Sequence, residues 1–242
     1  MSERDRFSLI GHAEMPLMNA LAEHELTALL DAATLSASDH VLDLGGGRAD
    51  LARICSKRFG CTATSVDRSP AACESAVERC AGASVEVVCQ DAQVYLDRVR
   101  PRGLGLAAAL GALHAFGSGL PSWTQSIEAL VPIARHVLVG DLVALGASAA
   151  TEMDVATMAQ LGPTLSRAKC RVELGPDRVV AYERAWCDAI ERFLDAHPGD
   201  PRADWAHERI AWSRHPKTEA AWRQLAFVTL LVRGSDQRVR NA

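Results

Sequence analysis

Three consecutive glycines constrain this chain more than any other feature. Val41–Leu44 is a short apolar run interrupted by one carboxylate, Asp43. It ends in Gly45-Gly46-Gly47, and after Arg48-Ala49-Asp50 the apolar residues Leu51, Ile54 and Cys55 recur at helical spacing. The pattern predicts strand, tight turn and helix. Glycine accepts positive φ and, lacking a Cβ, lets a ligand lie against the backbone where the first N–H groups of a helix are free. A nucleotide-like ligand suits such a place, although a glycine triplet also serves a plain tight turn.

Spacing separates the candidate ligands. A dinucleotide fingerprint G-x-G-x-x-[GA] read from Gly45 needs a small residue at position 50, where this chain has Asp50. No G-K-[ST] follows, against a P-loop. Read as D-x-G-x-G-x-[GA], the stretch gives Asp43, Gly45, Gly47 and Ala49. It then resembles motif I of the class I S-adenosylmethionine (SAM) dependent methyltransferases, with Ala49 where that family usually has a third glycine. Alanine there is a modest change if its φ is negative.

Around this turn the chain alternates. Two apolar-periodic segments over residues 7–33 predict helices, the second carrying Leu21, Leu26, Leu29 and Leu30 on one face. Cys61–Val66 predicts a second strand ending at Asp67, and Ser69-Pro70 opens a helix with serine as cap and proline at the first helical position. Ser84–Cys89 alternates as a third strand, and Leu104–Leu110 is a buried fourth. Ser122 is the expected cap of the next helix, Pro132 its stop, and His136–Leu145 a fifth strand. A helix around 152–160, a strand at Cys170–Leu174, helices at about 177–196 and 203–214 split by His197-Pro198-Gly199-Asp200-Pro201, and a last strand at Ala226–Val232 complete the reading. Strands alternating with helices predict right-handed βαβ units and an α/β parallel sheet.

Several residues carry functional expectations. Asp67 lies 20 residues beyond Gly47, where a carboxylate ending the second strand accepts ribose hydroxyls in nucleoside-binding folds. His12 and Asn19 interrupt an apolar stretch and either face substrate or serve as an exposed histidine and a helix cap. His114 is the strongly polar side chain of the loop Gly111–Gly117, either beside the reacting centre or hydrogen-bonded at the end of a core strand. Tyr182 and Trp186, at i and i+4 with Glu183 beside them, share a helix face and form either core or a binding wall.

The resemblance covers residues 38–146 through its motifs. It implies a Rossmann-like, seven-stranded sheet of order 3-2-1-4-5-7-6, its seventh strand antiparallel, with N-terminal helices over 1–35, a SAM-binding core over 36–146, and a C-terminal part over 147–242 bearing a helical cap at about 177–220. It implies a site in which Asp43 orients the amino-acid end of SAM, Gly45, Gly46 and Gly47 line its methionine and ribose, Asp91 reaches the adenine amino group, and Arg68, Ala92 and Gly111 join the same pocket. The phrases R-F-S-L-I-G-H, M-P-L-M-N and D-R-V-V-A-Y-E-R-A-W are similar to a group of bacterial small-molecule methyltransferases, which makes the cap a cover over the acceptor. An NAD(P)-dependent oxidoreductase and a SAM-binding protein without catalysis stand as alternatives.

Net charge −4 and pI near 6.1 leave no basic footprint for nucleic acid, and Arg233, Arg238 and Arg240 read as a solvated tail. A charged start and no long apolar run predict a soluble, cytoplasmic chain without membrane partners, monomeric or homodimeric. Seven cysteines without C-x-x-C, and no H-E-x-x-H, predict reduced thiols and no metal.

Overall fold

The computed structural model describes residues 3–148 and 154–234. Arg238, Arg240 and the first residues of the helix expected over 152–160 lie outside them. Seven strands form one sheet: β1 (His40–Leu44), β2 (Thr62–Asp67), β3 (Val85–Cys89), β4 (Leu104–Leu110), β5 (Ala134–Ala144), β6 (Ala168–Leu174) and β7 (Leu225–Arg233). Their order is β3-β2-β1-β4-β5-β7-β6, with β7 antiparallel to both β5 and β6, as the motif I resemblance implies. The central parallel strands are covered on both faces, which is why β4 and β1 read as nearly unbroken apolar runs.

Helices α1 (Glu3–Gly11), α2 (Glu23–Ala32), α3 (Asp50–Phe59), α4 (Pro70–Arg79), α5 (Ala92–Val99) and α6 (Gly119–Leu130) accompany the parallel half. Helices α7 (Met158–Leu165), α8 (Pro176–Ala196), α9 (Ala203–Arg214) and α10 (Pro216–Trp222) accompany the remainder. Ser69 caps α4, accepting from the Ala72 N–H at 3.4 Å, and Pro70 follows it as expected. Two expectations fail. Ser122 lies inside the first turn of α6, its hydroxyl donating to the Gly119 carbonyl at 2.7 Å, because the helix starts earlier, after Ser118. The helix placed at 152–160 is α7, later in the chain, where Thr157 and Gln160 form a reciprocal capping box.

Apolar side chains bury themselves on each sheet face, and a third, separate cluster joins α1 to the cap through Phe7, Trp186, Ile190, Leu194 and Ile210. This packing ties α8 and α9 to the N-terminal helix α1, while α8 also rests on β6 and β7. Strand order reverses between β1 and β4, and the register aligns Leu44 with Val66 and Asp67 with Cys89. Carboxyl ends of neighbouring strands thus part at a switch point, where open α/β sheets leave a crevice.

Candidate active site

A cavity of about 280 Å³ opens at that switch point. Asp43, Gly45, Gly46, Gly47, Asp67, Arg68, Asp91, Ala92, Gly111 and His114 all line it, together with His12 and Asn19 from the segment after α1. Tyr182 and Trp186 do not. They line a second cleft, which shares Ser8 and His12 with the first.

The glycines are required by space and by backbone. A Cβ on Gly46 would stand 2.2 Å from Ser65 Oγ and 2.7 Å from Asp43 Oδ2. Gly47 holds φ +56, and a Cβ there would meet Met18 Sδ at 2.7 Å, so the N-terminal segment closes directly over the turn. Ala49 departs from expectation: its φ is +58, in the left-handed region. An L-residue there is strained by about 1–2 kcal/mol. Its fully buried methyl recovers a part of that, near 0.8 kcal/mol, so alanine is tolerated at this place in the turn.

Asp67 joins the two turns. Its Oδ2 accepts from the Gly47 N–H at 2.8 Å and its Oδ1 from the Ser69 N–H at 2.8 Å. Each oxygen keeps further acceptor capacity, so the carboxylate is held rigidly while still able to take a diol. Asp91 caps α5 through Oδ1, which accepts from Gln93 and Val94 at 2.9 and 3.2 Å, and lines the cavity from that position. Capping and ligand contact are compatible here.

Sequence reasoning used Asp50 only to reject a dinucleotide and gave Arg48 no role. Both are buried, and Arg48 donates to Asp50 at 2.9 Å, to the His12 carbonyl at 2.6 Å and to the Met15 carbonyl at 2.9 Å. Asp50 also binds Arg79 at 2.8 Å and Arg53 at 3.6 Å. This hub pins the N-terminal segment to the glycine turn. A charged residue at the fingerprint's small position was the signal that pointed to it.

His12 is buried, not exposed. Its Nδ1 lies 2.5 Å from the Ser8 carbonyl, which can only accept, so Nδ1 carries the hydrogen and Nε2 accepts from the Tyr182 hydroxyl at 2.5 Å. Burial lowers its pKa to about 4, and burial likewise pushes the Tyr182 hydroxyl up. The pair is neutral. Asn19 is not the cap of α2: its Oδ1 accepts from the Leu21 N–H at 3.0 Å in a local turn, while Glu25 accepts from the Ala22 N–H at the helix start. His114 sits exposed on a 3-10 turn, Leu113–Phe116, at the rim of the cavity. That turn is held by Asp141, whose Oδ2 accepts from the Leu113 N–H at 3.2 Å and whose pKa is pushed up by burial.

Asp43 is buried, and its Oδ2 has no hydrogen-bond partner among the described residues. Burial, with the charges of Asp67 and Asp50, raises its pKa to about 7. Its pH effect opposes that of His12. Between about pH 4 and 6.5 the unfolded histidine binds a proton the native one lacks, so stability rises with pH by about 1.4 kcal/mol per unit. Between 3.8 and about 7 native Asp43 holds a proton the unfolded one lacks, and stability falls with pH at the same slope. The two nearly cancel over their shared range. Asp43→Asn should therefore unmask His12: denaturant titrations at pH 4.5 and 6.5 should show the variant gaining on wild type by about 1–3 kcal/mol toward the higher pH. A constant difference would contradict the Asp43 assignment, and a variant whose own stability does not rise between these pH values would contradict that of His12.

Residues 41–132 match the family model of a methyltransferase domain. Solved structures similar over nearly the whole length include a SAM-dependent methyltransferase from Geobacter sulfurreducens in complex with S-adenosyl-L-homocysteine, at 22% identity and TM-score 0.78, covering 95% of this chain and 98% of that one. Another, from Thiobacillus denitrificans with the same ligand, has 21% identity and TM-score 0.76, with coverage of 95% and 98%. YjhP from Escherichia coli shows 20% identity and TM-score 0.76, covering 95% and 100%. No curated protein matches the chain in sequence.

Residues 41–132 thus match a methyltransferase domain, and the sheet order and glycine turn are those of the class I SAM-dependent methyltransferase fold. The oxidoreductase reading falls with this assignment, and the hub at Asp50 gives the physical reason, since charged, buried side chains fill the place where a dinucleotide fold needs a small residue.

Proposed function

We propose that this enzyme methylates a small-molecule acceptor, with SAM in the switch-point cavity and the acceptor between that cavity and the cap of α8–α10. The carrying observation is convergence: the Gly45–Gly47 turn, Asp67 and Asp91 line one crevice that Met18 and the Arg48 bridge close from above. Such closure suits a metabolite better than a macromolecular chain. The cofactor also fits the buried Asp43 oxygen, which lacks a partner and would accept from an ammonium group.

When bound, SAM supplies an electrophilic methyl carbon that an acceptor lone pair attacks as the C–S electron pair stays on sulfur, leaving S-adenosylhomocysteine. The protein's part is alignment and exclusion of water. Asp67 holds the ribose diol, Arg68, Ala92 and Gly111 complete the cofactor walls, and Asp91 meets the adenine. His114 on the rim orients the acceptor or receives the proton that an O–H or N–H nucleophile loses. His12 and Asn19 border the acceptor side, with Tyr182 and Trp186 beyond His12.

No helix of the described residues is long and apolar enough to cross a membrane. Our reading is a cytoplasmic enzyme of small-molecule metabolism without a nucleic-acid partner. Calorimetry tests its foundation: Asp67→Ala should weaken SAM binding by about ten- to hundredfold, the loss of one or more charge-assisted hydrogen bonds. Unchanged affinity in a folded variant would remove the ribose assignment.

A further inference from the structure

The second cleft, about 500 Å³, is walled by Tyr182, Glu183, Trp186, Trp205, Arg209 and Trp212 and meets the cofactor cavity at Ser8 and His12. Four aromatic side chains around such a space are the usual means of holding a ligand cation. Here the chain's own cation already has the indoles: the Arg209 guanidinium lies 4.8 Å from the Trp186 ring centroid and 4.7 Å from that of Trp212. A cationic ligand would meet occupied ring faces and a like charge.

Arg209 is itself incompletely satisfied. Its Nη2 donates to Glu183 Oε2 at 3.2 Å, and Ser213 donates to the same oxygen at 3.2 Å. Its Nη1 is buried without an acceptor among the described residues. The guanidinium is a planar fork matched to a carboxylate, and an unmade hydrogen bond to a charged donor is a standing penalty that a ligand can relieve. Trp212 is 50% exposed and packs edge-on against Trp222, whereas Trp186 is wedged against the Gly11 backbone. At the junction the His12 and Tyr182 side chains are occupied with each other.

We propose that this cleft selects the acceptor as a flat aromatic carboxylate, its ring against Trp212 and Trp205, its carboxylate on Arg209, and its nucleophilic atom directed past His12 and Ser8 toward the methyl group. The proposal deepens the reading above and rests on it for the acceptor's fate, while the cleft's selectivity stands on Arg209 and the indoles.

The test uses the full chain and three probes of one shape: 2-naphthoate, 2-naphthamide and 2-naphthylmethylammonium, titrated by calorimetry and by quenching of tryptophan fluorescence, with SAM titrated into the same samples. Naphthoate should bind at least about tenfold more tightly than the amide, and the cation most weakly. Arg209→Met should abolish the preference, and Glu183→Gln, which frees the guanidinium from its ion pair, should tighten naphthoate several-fold at unchanged SAM affinity. Equal binding of the three probes, or a preference that survives Arg209→Met, would overturn the proposal. Should Arg209→Met fail to fold, Glu183→Gln decides, and no gain for naphthoate counts against the cleft. Loss of SAM binding by wild type would instead strike the methyltransferase reading, so the two failures are distinguishable.

Discussion

Gly46→Ala should lose about a hundredfold in SAM affinity, close to 3 kcal/mol. The added methyl would stand 2.2 Å from Ser65 Oγ and 2.7 Å from Asp43 Oδ2, distances real Cβ atoms do not adopt. Gly46 is not at positive φ, so the effect is steric and not backbone strain. Both obstructing side chains are buried in β1 and β2, so they have little room to move. Relief must come from separating the strand ends, which pulls the Gly47 N–H away from Asp67. Overpacking of this kind also lowers stability by about 1–3 kcal/mol. Ser65→Gly in the same chain removes the nearest obstruction and should restore a part of both losses. Wild-type SAM affinity in folded Gly46→Ala would mean that the cofactor does not lie on this turn.

Asp50→Asn should be strongly destabilising. The carboxylate and Arg48 are both buried, at 4% and 3% exposure, so Arg48 would keep its charge with no counter-ion and little water. Breaking a buried pair from one side costs about 3–5 kcal/mol. Arg79 and Arg53 are more exposed and regain hydration, so most of the loss belongs to Arg48. For a chain of this size the melting temperature should fall by roughly 10 °C. Arg48 also carries the His12 and Met15 carbonyls, so the segment over the cavity should loosen and SAM should bind more weakly. A loss below about 1 kcal/mol in denaturant unfolding would show that the hub is dispensable.

The sheet was legible because buried parallel strands must be apolar runs, and Val41–Leu44 and Leu104–Leu110 have no polar alternative pattern. The long cap helices were legible through Pro198-Gly199 between them. Motif I made the glycine turn legible, since the Gly47 N–H meets Asp67 over a separation of 20 residues set by one βαβ unit. Contacts made across the whole chain were not legible. The pairing of His12 with Tyr182 spans 170 residues, and nothing local distinguishes a histidine buried by a distant helix from an exposed one. Arg48 and Asp50 are near neighbours, yet their importance comes from Arg79 and from carbonyls 33 and 36 residues away. The left-handed φ at Ala49 escaped for a different reason, because alanine is the residue least informative about backbone conformation. Thr157 and Gln160 did carry a capping signature, and it fixes where α7 begins.

Methyl transfer is the most direct measure of the account. The purified chain, given SAM with a tritiated methyl group and the low-molecular-weight fraction of its own cell extract, should place label on a small product and release S-adenosylhomocysteine in equal amount. Asp67→Ala should abolish the signal at limiting SAM and recover it in part at high SAM. Label appearing only on protein or nucleic acid in a whole extract, or SAM bound tightly with no label transferred to any fraction, would contradict it.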